Sequence, residues 1–284
     1  MTSLKKILSE KNPAFSGKSA ESLIMSGRVK VDGRIIDKPG AEVPEDAQIE
    51  ITEDSPYVSR GGLKIENAFK DLGISAEGKK AADVGASTGG FTDFLLKNGA
   101  ESVTAIDVGY GILSWKLRTD PRVFVFERTN IRKIDASDLP YRADLTVVDV
   151  SFISLEKIFD KIIEITEKSG EILLLVKPQF EAKREDVGKG GIVLERQVHK
   201  KVLGKIIRMV RDYKLSVEGI AFSKVKGAKG NQEFWIYAKK TGKVLPVKDK
   251  SFKGVKKTAL NYDKIVSDIV EKAHDFFIGS KKWI

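Results

Sequence analysis

Cysteine is missing from this 284-residue chain, and histidine occurs only twice. The first absence excludes a disulfide framework, a thiol nucleophile and cysteine-bound zinc, and two imidazoles make a poor metal site, so chemistry without a metal is expected. Long apolar runs are missing too. No stretch approaches the ~20 residues that cross a bilayer, and the apolar part of the first residues, around Leu4 and Ile7, is too short for a secretory leader. A cytoplasmic protein with no stable membrane association is the expectation. Internal repeats and low-complexity tracts are absent as well.

What the chain has in excess is positive charge, a formal +10 with a pI near 9.4, and nucleic acid is the commonest acidic partner of such a surface. The charge is unevenly spread. Residues 1–54 hold 8 basic and 10 acidic side chains, whereas residues 177–240 hold 16 and 7, which puts the positive face on the second half of the chain. A solvated lysine-rich surface would give the same count. The length suits one full core with appendages, so two domains and a tail are expected.

Residues 81–91 read Ala-Ala-Asp-Val-Gly-Ala-Ser-Thr-Gly-Gly-Phe, a small apolar run that opens into a glycine loop and then a helix. Glycines at 85, 89 and 90 let the backbone approach a ligand where a Cβ would clash. A dinucleotide fingerprint would read G-x-G-x-x-G; here the order is D-x-G-x-x-x-G-G, with Asp83 before the first glycine. A pyrophosphate binder would avoid that carboxylate. The ammonium group of S-adenosylmethionine would use it, and that molecule is the expected cofactor. Residues 103–107 read as the next strand and end in Asp107, placed to accept both ribose hydroxyls. A tight strand-to-helix turn with no ligand is the plainer explanation of the glycines, and the spaced second Asp weighs against it.

Taken in order, the chain opens with a helix around Leu4, Ile7 and Leu8, broken at Asn12-Pro13. A second short helix over residues 19–25 follows, then two alternating strands around Asp32-Gly33 and a strand over 48–51. Pro56 marks a linker and a plausible hinge. A helix starting at 59 shows an apolar face of Leu63, Ala68, Phe69 and Leu72, with Lys64 in its first turn, where a cation is electrostatically misplaced. Strands and helices then alternate: a helix around 115–118, strand 123–126, strand 144–152 with Asp149 near its end, helix 155–166, and strand 171–180 carrying Lys177. A basic loop over 183–191, helix 197–213, strand 216–222 and strand 232–238, with Glu233 at its start, complete the series. The lysine-rich tail holds an amphipathic segment of Ile265, Ile269, Val270, Ala273, Phe276 and Phe277.

Two resemblances emerge. The stretch "SAESLIMSGRVKVDGRIIDKPG" looks like the small αL RNA-binding domain first described in a ribosomal small-subunit protein, the S-four type; such domains open with Arg-Leu-Asp, where this chain has Ser3-Leu4-Lys5. The blocks "YVSRGGLK", "DVGASTGGFTDFLL", "DVGYGILSWKLRTDPRV", "ERTNIR", "VDVSFISL", "LVKPQFE" and "NQEFWIY", in that order, make residues 16–240 resemble the TlyA family, in which such a domain precedes an FtsJ-type RNA 2′-O-methyltransferase. The fold implied is α/β: a Rossmann-like methyltransferase domain with a mostly parallel sheet and an antiparallel closing strand, after a small α+β RNA-binding domain. The implied divisions are 1–54 for the RNA-binding domain, 55–62 for a linker, 63–240 for the methyltransferase domain and 241–284 for a basic extension.

The resemblance further implies a catalytic tetrad of Lys64, Asp149, Lys177 and Glu233. The cofactor residues are taken as Asp83, Gly85, Ser87, Gly89, Gly90, Phe91, Asp107, Val108, Asn130 and Asp149, and the RNA contacts as Lys5, Lys6, Lys18, Arg28, Lys30, Arg34, Arg60, Lys183, Arg184 and Lys189. A ribose hydroxyl is a poor nucleophile until deprotonated, so a base is required beside the methyl donor. Lys177 is the candidate, with a second cation at Lys64 and partial burial freeing some neutral amine while Asp149 and Glu233 orient the pair. The partner implied is ribosomal RNA or a ribosomal subunit, with cytidine riboses as targets. Two other readings stand beside this one: a non-enzymatic RNA-binding or ribosome-assembly factor with a vestigial pocket, and a hemolysin, a name some family members carry.

Overall fold

The computed structural model describes residues 2–11, 20–21, 23–24, 28–36, 40–51, 56–227, 229–240 and 262–279. The N-terminal unit consists of β1 (Thr2–Ser3), α1 (Leu4–Lys11), β2 (Val29–Val31), β3 (Arg34–Ile35), β4 (Glu42–Val43) and β5 (Ile49–Ile51). Alternation drives the small sheet: Val29 and Val31 point inward, and Asp32-Gly33, both at positive φ, close the hairpin to β3 with the twist a two-residue turn needs. Leu4, Ile7 and Leu8 of α1 pack with Leu23, Ile24, Val29 and Val31 as a separate small core.

The larger unit is built on a seven-stranded sheet of β6 (Lys80–Val84), β7 (Ser102–Ile106), β8 (Val123–Phe126), β9 (Ala143–Val148), β10 (Thr166–Val176), β11 (Leu215–Phe222) and β12 (Phe234–Lys240), in the order β11-β12-β10-β9-β6-β7-β8. β10, β9, β6, β7 and β8 run parallel; β12 is antiparallel to both β10 and β11, which makes the closing hairpin. Central strands are apolar on both faces because helices cover both. Ala81, Val103, Leu145, Val147, Leu173 and Leu175 face one core, and Ala82, Val84, Ile106, Val148, Ile172 and Leu174 the other. On the first face lie α2 (Gly61–Leu72) and α3 (Gly90–Lys97). On the second lie α5 (Phe159–Ile165) and α7 (Arg196–Asp212), with α8 (Tyr262–Gly279) docked beside α7. Two short helices, α4 (Trp115–Arg118) and α6 (Pro178–Glu181), sit in the connections.

Several boundaries differ from the sequence reading. α2 begins at Gly61, and its buried face is Gly62, Lys64, Ile65, Ala68 and Phe69, while Leu63 and Leu72 are half-buried. The segment 56–60 packs on α3: the Val58 amide donates to Asp93 Oδ2 at 2.9 Å, and Tyr57 packs on Phe94. The expected helix over 155–166 is a 3-10 turn at Leu155–Lys157 followed by α5, and Thr166 already belongs to β10. In the tail, Val266, Ile269, Val270 and Ala273 bury against α7 and the sheet, each larger aliphatic contributing roughly 1.5 to 3 kcal/mol. The breaker Asn12-Pro13 lies outside the described residues.

Candidate active site

The chain runs β6, β7, β8 outward in one direction and returns to place β9 on the other side of β6, so the strand order reverses between β6 and β9. In open α/β sheets that reversal opens a crevice at the carboxyl ends of the strands. Here the glycine loop leaves β6 and Asp149 leaves β9. Gly85 has φ +90°, and a Cβ there would lie 2.4 Å from the Asp149 carbonyl oxygen, so the loop can pass β9 only as glycine. Gly89, at φ +95°, turns the chain into α3.

Under this loop Asp83 is fully buried. Its Oδ2 accepts from Thr92 Oγ1 at 2.7 Å, and its Oδ1 has no partner. Burial pushes the carboxyl up to about 7, with the Thr92 hydrogen bond opposing and the charges of Asp149 and Asp107 adding. A buried acceptor with nothing to accept from is costly, and a ligand ammonium is the kind of donor it lacks. Asp107 is already engaged, its Oδ2 accepting from the Ser87 amide (2.8 Å) and its Oδ1 from the Gly109 amide (2.7 Å). It fixes the glycine loop to the next turn, and each oxygen keeps one lone pair for a hydroxyl. Val108 beside it is largely exposed, and exposed Asn130 caps a 3-10 turn by accepting from the Arg132 amide. The side chain of Phe91 is in the core against Trp235, ring centroids 5.8 Å apart, so it can offer a ligand only its backbone.

Lys64, Asp149, Lys177 and Glu233 meet at this edge as two ion pairs. Lys64 Nζ donates to Glu233 Oε2 at 2.8 Å, both groups buried. Lys177 Nζ lies 2.5 Å from Asp149 Oδ1 and donates to Ser151 Oγ at 2.9 Å. Asp149, Lys177 and Glu233 each stand one residue outside their strands, where the ladder ends and side chains turn toward the crevice. Burial would depress the Lys64 ammonium, but Asp149 and Glu233 outweigh it and hold the group above its ordinary value. Burial would likewise raise Asp149, and Lys177, then Lys64 and Arg60, hold it below the usual carboxylate range. The pairs thus form one charge-balanced cluster.

Three further residues complete this edge. Ser151 receives the Lys177 hydrogen bond. Phe152 is 91% exposed at φ +64°, a conformation rare for an aromatic residue, with its ring 5.1 Å from that of Phe180. Glu181, the last residue of α6, is buried four positions after Lys177. An aromatic just beyond a strand end, with no core to enter, was the available signal for Phe152.

The basic residues expected to touch RNA are dispersed. Lys5 pairs with Glu21 at 2.9 Å, and Lys6 lies 3.8 Å from Glu10. Arg28 and Lys30 are half-buried; Lys18 and the side chain of Arg34 lie outside the described residues. Arg60 is close enough to Asp149 to act on its charge, while Lys183, Arg184 and Lys189 are exposed on the loop after α6, Lys183 facing Glu185 at 3.6 Å.

Residues 57–240 match the FtsJ-like methyltransferase family, and residues 3–49 match the S4 domain. The chain is 42% identical over 234 residues to YqxC of Bacillus subtilis, covering 81% of this chain and 83% of that one. It is 38% identical over 238 residues to the 16S/23S rRNA (cytidine-2′-O)-methyltransferase TlyA of Mycobacterium tuberculosis, covering 83% and 89%. A solved structure of a hemolysin-named protein from Streptococcus thermophilus superposes with a TM-score of 0.76 at 36% identity, over 99% of this chain and 98% of that one.

Proposed function

The chain belongs to the TlyA family of FtsJ-like methyltransferases that carry an S4 domain, and from that membership we propose that it methylates the 2′-hydroxyl of cytidine riboses in ribosomal RNA, using S-adenosylmethionine, in the cytoplasm. The observation that carries the reading is the pairing of Lys177 with Asp149 one strand away from the orphaned Asp83 oxygen, which sets a candidate base beside a cofactor loop. Bound S-adenosylmethionine would supply an electrophilic methyl group on a sulfonium. Asp83 would meet its ammonium, Asp107 its ribose hydroxyls, and the backbone around Gly85 and Gly89 would lie along it.

The remaining work falls to the tetrad. Lys177 would accept the 2′-hydroxyl proton, leaving the oxygen free to bond to the donor's methyl carbon. The positive charge gained at Lys177 would be met by Asp149, and the bond broken would be the donor's sulfur–methyl bond. Lys64, held by Glu233, keeps a fixed positive charge behind Asp149. Holding the hydroxyl in line with the donor is worth about 7 to 11 kcal/mol in well-oriented intramolecular reactions. Phe152 offers an exposed π-face next to Ser151 on which the target base can stack, an interaction worth about 1 to 3 kcal/mol.

The divisions 1–54, 55–62, 63–240 and 241–284 remain our assignment, supported by the two family matches and by the separate N-terminal core. Among the described residues no helix is long and apolar enough to cross a membrane. The decisive experiment maps 2′-O-methylated riboses in rRNA from cells with and without the protein, and in reactions of purified subunits with labelled S-adenosylmethionine. New methyl groups on cytidine riboses are expected. Cofactor binding with no methylated product would favour a ribosome-assembly role instead.

A further inference from the structure

Glu181 is the last residue of α6, four positions after Lys177, and its side chain is 1% exposed. Its two oxygens are directed at a different part of the chain. Oε2 accepts from Ser154 Oγ at 2.6 Å and Oε1 from the Leu155 amide at 2.6 Å. Lys205, on α7, closes the arrangement from behind: its Nζ donates to the Glu181 carbonyl at 3.2 Å, approaches Oε2 at 3.4 Å, and pairs with Glu156 at 2.7 Å. One buried carboxylate thus ties the connection leaving β10, which starts with Lys177, to the connection leaving β9, which holds Asp149, Ser151 and Phe152.

That second connection needs an anchor. Phe152 sits at φ +64° with its ring in solvent, and a non-glycine residue persists there only where neighbours over-determine the backbone. Upstream, the Asp149 amide is fixed to the Val84 carbonyl at 2.9 Å. Downstream, Glu181 fixes Ser154 and Leu155, so the strained residue is held at both ends. Burial drives the Glu181 carboxyl above its ordinary range, with Ser154, Leu155 and Lys205 only partly offsetting it. An apolar side chain would fill the space without that cost, but could not hold an amide and a hydroxyl at set positions.

We propose that Glu181 is a positioning residue for methyl transfer, holding the loop that carries Asp149, Ser151 and Phe152 in register with Lys177. The inference rests on the methyltransferase reading above. In the full-length protein, Glu181→Ala should lower the single-turnover transfer rate to rRNA on the order of a hundredfold, the cost of an ångström-scale misplacement, while the Kd for S-adenosylmethionine stays within about twofold. Glu181→Gln keeps an acceptor for the Leu155 amide and can donate to Ser154 Oγ, so it should recover transfer to within about tenfold of wild type. Ser154→Ala removes only the loop-side hydroxyl and serves if Glu181→Ala does not fold; an intermediate loss of about three- to tenfold is expected, near the worth of one hydrogen bond.

Wild-type transfer in Glu181→Ala, or in Ser154→Ala where that variant stands in for it, overturns the proposal. So does a loss of transfer matched by an equal loss of cofactor affinity, since that marks general damage. A lowered Tm with an unchanged rate makes Glu181 purely structural and likewise overturns it. If the wild-type protein itself binds S-adenosylmethionine and methylates no RNA, the methyltransferase reading fails, independently of the Glu181 variants.

Discussion

Acidification should weaken S-adenosylmethionine binding through Asp83. The carboxyl ionises at about 7 in the free protein because burial penalises its charge and Oδ1 has no donor, while a solvated Asp ionises near 3.8. A ligand ammonium needs the ionised form. Below the folded value, each pH unit therefore lowers the apparent affinity about tenfold, and the change between pH 7.5 and 5.5 comes to roughly 25-fold. The range stops at 7.5 so that the ligand's own α-amino group stays largely charged.

Calorimetry in two buffers of different ionisation enthalpy measures both the affinity and the protons released, about half a proton per ligand at pH 7. The free protein supplies a second check with the sign worked through. A raised carboxyl pKa means the folded state holds a proton that the unfolded state has lost, so stability contributed by this group falls as pH climbs from about 4 to about 7. Asp83→Asn should remove both dependences and most of the binding. Affinity that stays flat from pH 5.5 to 7.5, or a slope that survives in Asp83→Asn, would refute the assignment of Asp83 to the ammonium.

Two further outcomes test other parts of the molecule. If Lys177 is the base, Lys177→Arg should abolish single-turnover transfer while sparing cofactor binding, because arginine does not deprotonate in proteins, whereas Lys64→Arg, which keeps the charge facing Glu233, should retain more activity. The opposite order would exchange the two roles. The chain's two histidines face each other where α8 docks on α7, His199 Nδ1 lying 3.0 Å from His274 Nε2, with Arg196, Lys200, Glu271, Asp275 and Lys226 around them. Burial, then His274, pushes His199 down to about 4, and burial, then Arg196, lowers His274. Docking therefore disfavours the charged imidazoles, and the contribution of His199 is complete above pH 6.5 and is lost as pH falls toward 4. Amide exchange of α8, corrected for intrinsic rates, should speed up between pH 7 and 5; unchanged protection would show that the pair does not govern docking.

What the sequence made legible, and what it hid, follows from the range of the interactions. Parallel central strands are covered on both faces, so β9 and β10 appear as apolar runs, and the Asp149 or Lys177 that follows each run is visible because it breaks the apolar pattern. The glycine loop is visible because only glycine passes the Asp149 carbonyl, and the amphipathic period of α8 announces a buried face. In contrast, Lys64 reads as a surface cation in the first turn of a helix. Its burial depends on Glu233, 169 residues later, and no local period encodes that partner.

The same reasoning explains the residues whose full surroundings the sequence hides. Phe91 stands beside two glycines and looks like part of the ligand loop, but α3 starts at Gly90, and the turn of that helix carries the ring inward onto Trp235. Asp107 reads as an acceptor for ribose hydroxyls, and a carboxylate at that turn also faces two backbone amides, which it holds while keeping a lone pair on each oxygen. Phe152 and Glu181 lie inside the quoted blocks "VDVSFISL" and "LVKPQFE", but the function of each depends on the other connection. The strain at Phe152 is held downstream by a carboxylate from beyond β10 that fixes Ser154 and Leu155, and those donors, with Lys205, offset part of the cost of burying that carboxylate. Neither half explains itself locally, so such a pair becomes readable only when β9 and β10 are seen side by side.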